Sequence, residues 1–199
     1  MISKFKGKFL LLITAILLAV FSIFHIQYAE SYSAALEHLM KPTAHAAFLF
    51  FFLAFTTSSL HVLRPSEYSR WAMKNRRYLG LNFALIHFVH LGFVLSNLAL
   101  TEETREASTL SVGALAYLFL FLMTITSNNA AVRKLGARKW KMLHKVGSYY
   151  IWFIFLATSS KGPEAFTSLG TSWLPLMCLL AIAMRFQRSR MLKAKAKNR

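Results

Sequence analysis

The stretch Tyr78-Leu-Gly-Leu-Asn-Phe-Ala-Leu-Ile-His-Phe-Val-His90-Leu-Gly-Phe-Val-Leu-Ser-Asn-Leu-Ala-Leu100 decides the fold class. It contains no Asp, Glu, Lys or Arg, and a helix over it is about 34 Å long, enough to cross a hydrocarbon core of about 30 Å. Its two ends differ. Arg76-Arg77 precede it, and Thr101-Glu-Glu follow it. Cytoplasmic connections collect Lys and Arg, so the first end is expected inside and the second outside.

Five further apolar runs flank this one, over Phe9 to Tyr28, Thr43 to Leu63, Thr109 to Thr126, Met142 to Ser159 and Trp173 to Arg185. The expected fold is therefore an all-α membrane protein, a bundle of about six transmembrane helices with both termini cytoplasmic. The first run follows a basic segment, as a signal peptide does. Its length and the lack of an Ala-x-Ala site favour an uncleaved span. The connections are expected as loops over 29–42, 64–77, 101–108 and 127–141, the last with an interfacial helix over Arg133 to His144, and as a loop containing Gly162-Pro163 after the fifth span. No linker divides the chain, so one domain over 1–199 is expected, with core helices over about 43–187.

Composition agrees. The chain is 56% hydrophobic with 18 Phe, and 16% of it is charged, against about 25% for a soluble domain. A net charge of +17 could point to nucleic acid, but the placement of the charges excludes that. All Lys and Arg except Lys41, Arg105 and Lys161 fall in four blocks, Lys4 to Lys8, Arg64 to Arg77, Arg133 to Lys145 and Arg185 to Arg199. Every acid is Glu, and all but Glu67 lie near those three exceptions. Basic and acidic connections alternate, which is a topology signal and a contact for anionic lipid heads. The partners this implies are membrane lipid and no nucleic acid. The lone Cys178 reads as a small buried hydrophobe. No G-x-G-x-x-G or P-loop pattern occurs, so no nucleotide-binding domain is expected within the chain.

The expected spans hold almost no Asp, Glu, Lys or Arg, which argues against a proton-coupled transporter. They do hold histidine, which buries as a neutral ring and ligates iron. His87 and His90 are three apart and share one helix face near the middle of their span. His144 opens the fifth expected helix. His45 and His61 lie near the outer and inner ends of the second, while His25 and His38 lie at or beyond the external boundary. For any one of these, a hydrogen bond to a neighbouring helix is the ordinary explanation. For the pair on the third helix facing a partner on the fifth, haem ligation is the better reading. Gly92, Gly147 and the many Phe would leave room for the faces of a haem.

Two segments carry a family resemblance. They are Arg76-Arg-Tyr-Leu-Gly-Leu-Asn-Phe-Ala-Leu-Ile-His-Phe-Val-His90 and Thr126-Ser-Asn-Asn-Ala-Ala-Val-Arg-Lys-Leu-Gly-Ala-Arg-Lys-Trp-Lys-Met-Leu-His144-Lys. They resemble the ferric-reductase-like transmembrane domain, and within it the haem-binding membrane subunits of bacterial periplasmic methionine sulfoxide reductase systems. The resemblance implies a multi-pass protein of the bacterial inner membrane that binds haem b. Such a subunit takes electrons from a cytoplasmic flavin or quinol donor to an external acceptor or partner reductase. It would be the electron-transfer subunit of an oxidoreductase, with no catalytic residue of its own and flavin or quinone only through a partner.

In the family pattern, the third and fifth helices each offer two His about 13 or 14 residues apart. Here His90 matches the outer position of the third helix, and Arg76 stands at its inner position. His144 matches the inner position of the fifth helix, and Ala157-Thr158 stand at its outer position. The expected iron ligands are thus His90 and His144, each without its usual mate. Three resolutions remain open. His144 pairs with His87, or His45 or His61 supplies a ligand, or the chain is a haem-free assembly or anchoring protein that kept the fold.

Overall fold

The computed structural model describes residues 7–101, 106–160 and 173–198. These form α1 (Gly7–Tyr28), α2 (Tyr32–Leu63), α3 (Glu67–Thr101), α4 (Ala107–Ile125), α5 (Asn129–Leu135), α6 (Ala137–Ser159) and α7 (Trp173–Lys197). No strand occurs among the described residues. Four helices, α1 to α4, have the length and hydropathy to cross a membrane. α6 and α7, of 23 and 25 residues, have the length, but α6 begins and α7 ends in basic residues.

The connections are shorter than expected. Residues 32–42 belong to α2, and residues 67–77 to α3. Ser31 starts α2 by accepting from the Ala34 N–H at 3.2 Å, the usual N-cap bond. Pro42 sits inside the helix and removes one ladder donor. The carbonyl left without its donor is that of His38, and the helix runs on past it to Leu63, as membrane helices that carry proline do. α2 does end at Arg64-Pro65, where a residue before proline is pushed out of the helical region. Ser66 and Ser69 then open α3 with a reciprocal cap. The Ser66 N–H donates to Ser69 Oγ at 2.9 Å and the Ser69 N–H to Ser66 Oγ at 3.1 Å. The following Arg and Lys residues are good helix formers, so this segment continues as helix and not as loop.

The expected interfacial helix over 133–144 is also redistributed. α5 is a separate short helix capped by Asn128, whose Oδ1 accepts from the Ala131 N–H at 2.7 Å. Gly136, at φ 76° and ψ 147°, lies in a region open essentially to glycine alone and turns the chain into α6. Trp140 and His144 therefore ride on the first turns of a long helix. The expected loop around Gly162-Pro163 lies outside the described residues.

α2 is the central helix, packed mainly on α3 and also on α7. Its Ala47, Phe48, Phe51 and Phe55 meet Phe83, Ala84 and Ile86 of α3, Leu120 of α4, Ile151 of α6, and Cys178 and Ala181 of α7. A smaller cluster of Leu36, Leu39 and Phe93 with Phe21 of α1 closes the other end. Outside, the apolar side chains point away from the protein. Leu12, Ile16, Leu17, Val20 and Ile23 of α1, and Leu118, Phe121 and Ile125 of α4, are exposed. Such faces suit lipid, and the chain is a membrane protein.

The cap at α3 gives a stability prediction. Ser69 is fully buried and its hydroxyl also serves His61 Nδ1 at 3.2 Å. Ser69→Ala removes both contacts and is expected to cost about 1–2 kcal/mol, read as a lowered midpoint of unfolding by SDS in mixed micelles. An unchanged midpoint would mean that the α2–α3 turn holds without its cap.

Candidate functional site

The histidines occupy two levels along the bundle. At the basic end, a cavity of about 980 Å³ is walled by Phe51 and Phe55 of α2, Phe83 of α3, and Leu120 and Met123 of α4, with His144 and Tyr149 of α6 on its lining. This volume is at the upper end of small-molecule sites. Arg76, Arg185 and Arg188 line its rim side.

His144 is held from two directions. Its ring lies 4.2 Å from that of Trp140, and its Nε2 is 3.1 Å from Thr126 Oγ1. Thr126 Oγ1 also donates to the Leu122 carbonyl at 2.6 Å. In the tautomer that suits this pattern the ring proton of His144 is on Nε2 and the lone pair on Nδ1. Trp140 completes the arrangement by donating to the Thr126 carbonyl at 2.9 Å.

The second level repeats this logic. His90 Nδ1 is 3.1 Å from Thr43 Oγ1, whose own proton goes to the Leu39 carbonyl. His90 therefore donates from Nδ1 and keeps its lone pair on Nε2. His87 lies between His90 and Tyr117, its ring 5.5 Å from the first and 4.9 Å from the second. Phe83 and Phe155 also flank it, at 5.2 and 5.6 Å. Its Nδ1 is buried with no hydrogen-bond partner.

The structure does not bring His87 or His90 together with His144. Arg76 shares the cavity with His144, and along α3 His87 and His90 are about 16 and 21 Å beyond Arg76. His87 is absent from the cavity lining, and Phe83 stands between them, lining the cavity and packing on the His87 ring. His87 and His90, stacked on one helix, cannot grip opposite faces of one iron. The helix 2 residues are elsewhere. His45 packs edge-on against Trp173 at 5.2 Å, and His61 braces the α3 cap. His25 and His38 stack on each other at 6.0 Å where α1 meets α2. No cluster of three metal-ligating side chains occurs among the described residues. Gly147 admits Met123 of α4, whose Sδ would be 2.9 Å from an added Cβ, so its small size serves helix packing.

Sequence reasoning passed over Thr43, Thr126, Tyr117 and the arginines of α7. Thr126 stood inside a quoted motif, at the end of the helix before His144. Thr43 is distant in sequence from His90, and only the pairing of α2 with α3 joins them.

The residues present fit a haem at the cavity level, where there is space, aromatic rings, basic side chains and a histidine. At the outer level the rings of Phe83, Phe155, Tyr117 and His90 pack around His87.

The chain has relatives among known proteins. The chain is similar to the protein-methionine-sulfoxide reductase heme-binding subunit MsrQ of Azospira oryzae, 28% identical over 114 residues, which is 50% of this chain and 49% of that protein. It is similar to the subunit of the same name from Ralstonia nicotianae, 29% identical over 96 residues, 45% of this chain and 44% of that one. The subunit of Enterobacter is 28% identical over 135 residues, 59% of this chain and 67% of its own length. The chain thus spans about half the length of the first curated relatives it matches. No solved structure matches. Residues 42–157 match the model of the ferric reductase like transmembrane component, the segment that carries Thr43, His87, His90, Thr126 and His144, and the chain belongs to that family.

Proposed function

We propose that this protein is a haem-binding electron-transfer subunit of a bacterial inner membrane. Its basic cavity end faces the cytoplasm, and both termini lie on that side. It passes electrons from a cytoplasmic flavin or quinol donor toward an external acceptor, a soluble or periplasmic redox partner. The observation that carries the reading is the cavity of about 980 Å³ at His144, lined by aromatic rings, basic side chains and that imidazole. The matched relatives are named as haem-binding subunits, which supports the cofactor.

In this reading His144 would hold one haem b through the lone pair that Thr126 leaves free, with Thr126 the outer partner that fixes the ring. Bound haem supplies a one-electron ferric/ferrous couple. Phe51, Phe55, Phe83 and Leu120 keep water from that group's apolar faces. Trp140 holds the His144 ring from the side. His144 is the one histidine among the described residues lining the cavity, with Met123 and Tyr149 on the same lining. His90 remains a hydrogen-bonded structural group, locked to Thr43.

Thr126→Val keeps the shape and removes the acceptor. Loss of such an outer partner costs metal sites about 10–100-fold in affinity, and about tenfold weaker haem retention on gel filtration is expected. Equal retention would show that Thr126 does not orient His144.

Orientation is tested with membrane vesicles. A membrane-impermeant reduced flavin should reduce the haem in inverted vesicles, which expose the cytoplasmic face, and not in right-side-out ones. Reduction only from the opposite face would overturn the proposed direction.

A further inference from the structure

Arg76 of α3 and Arg185 and Arg188 of α7 converge on the cavity, close enough for the two α7 guanidiniums to repel the charge of Arg76. Like charges gathered between helices need an anion among them. None is provided here, since no Glu is among the described residues lining the cavity. The arginines do not satisfy themselves either. Arg76 Nε donates to the Ala54 carbonyl at 3.0 Å, which leaves its terminal nitrogens free. Arg185 lies 3.9 Å over the Phe55 ring and 4.8 Å from that of Tyr149, and it reaches the Phe55 carbonyl at 3.4 Å. These contacts fix the Arg185 guanidinium beside the apolar wall. Arg188 Nε is buried without a hydrogen-bond partner. A buried charged donor of this kind is expensive to leave unmatched.

The lining therefore combines rings and Leu120 with cations, Arg76, Arg185 and Arg188 together with Lys74, Arg77, Lys141 and Lys145. Its complement is a flat apolar molecule with a dianionic edge. We propose that Arg76, Arg185 and Arg188 form the carboxylate clamp that seats the haem of the reading above with both propionates toward the basic end of the bundle. The clamp rests on that reading, and it adds a direction. The forked guanidinium geometry suits bidentate pairing with carboxylate. Arg76 at the inner family position then has a function at the edge of the haem, where a permanent charge pairs with carboxylate more strongly than the single N–H of a neutral histidine.

The test uses haem-free protein purified in detergent from a haem-deficient host. It is titrated with haemin and, separately, with haemin dimethyl ester, whose carboxylates are blocked. Binding is read by the Soret band and by quenching of tryptophan fluorescence, since Trp140 lines the cavity. Wild-type protein should bind haemin at least tenfold more tightly than the diester. R188Q should weaken haemin binding severalfold while leaving diester binding unchanged, and R188K should recover part of the loss. Equal binding of haemin and diester by the wild-type protein overturns the clamp without touching haem binding. It needs no variant to fold. Failure of both to bind overturns the haem reading and the clamp with it.

Discussion

His144→Ala removes the haem. His144 is the histidine that holds the iron in this account, so its loss is expected to abolish the Soret band of the purified protein and to lower haem content at least tenfold. His90→Ala is the matched comparison. Its ring is hydrogen-bonded to Thr43 at the other level of the bundle, about 21 Å along α3 from the level of Arg76. That variant should keep its haem and its spectrum. The spin state of the wild-type haem reports whether Met123 or Tyr149, which share the lining with His144, also ligates the iron. If His90→Ala bleaches the protein and His144→Ala does not, the haem sits at the outer level and the cavity serves something else. Near-infrared and resonance Raman spectra of the two variants check the spin state independently.

Phe48→Ala is expected to produce the largest loss of stability. Phe48 is 1% exposed, and its ring packs on Phe52, Phe155 and Trp173 at 6.3, 5.1 and 5.7 Å. It thus ties α2 to both α6 and α7. In a soluble core, Phe→Ala costs about 3–5 kcal/mol through transfer and cavity terms. Lipid is as apolar as the core, so little of the transfer term survives in a membrane and the lost contacts dominate. About 2–3 kcal/mol is expected. Leu17→Ala gives the contrast. Leu17 is 63% exposed on α1, and exchanging its lipid contacts should change stability by less than about 0.5 kcal/mol. SDS-unfolding midpoints of the two variants measure the difference. Equal effects would mean that α2 is not the centre of the bundle.

Much of this architecture was legible in the sequence because a membrane imposes few solutions. Uncharged runs such as Tyr78 to Leu100 must be helical, and the flanking charges order them. Element ends were harder to read. Pro42 looked like a boundary, yet α2 runs through it from Tyr32 to Leu63. The segment 67–77 looked like a loop because it is basic, but Arg and Lys are sound helix formers once Ser66 and Ser69 start the helix. Residues 137–141, expected in one interfacial helix with 133–136, instead open α6 after the turn at Gly136. Charge reports the side of the membrane and not the absence of helix.

The candidate site was legible as residue types and only partly as geometry. His90 and His144 were found from motif positions, and their mismatch in depth followed from helix rise. Their threonine partners depend on helix pairing, which no spacing reveals. The structure sets His144 and His87 apart, with Phe83 lining the cavity and packing on the His87 ring. The arginine cluster joins residues of α3 and α7 far apart in sequence. In the sequence, Arg185 and Arg188 read only as the start of a basic tail.

The central claim is that this chain holds one haem b at the level of His144. The most direct measurement is the pyridine haemochrome content of the purified wild-type protein, set against its protein concentration. The account predicts one haem b per chain. A colourless protein would contradict it and favour a haem-free assembly or anchoring role, and two haems per chain would contradict the single site.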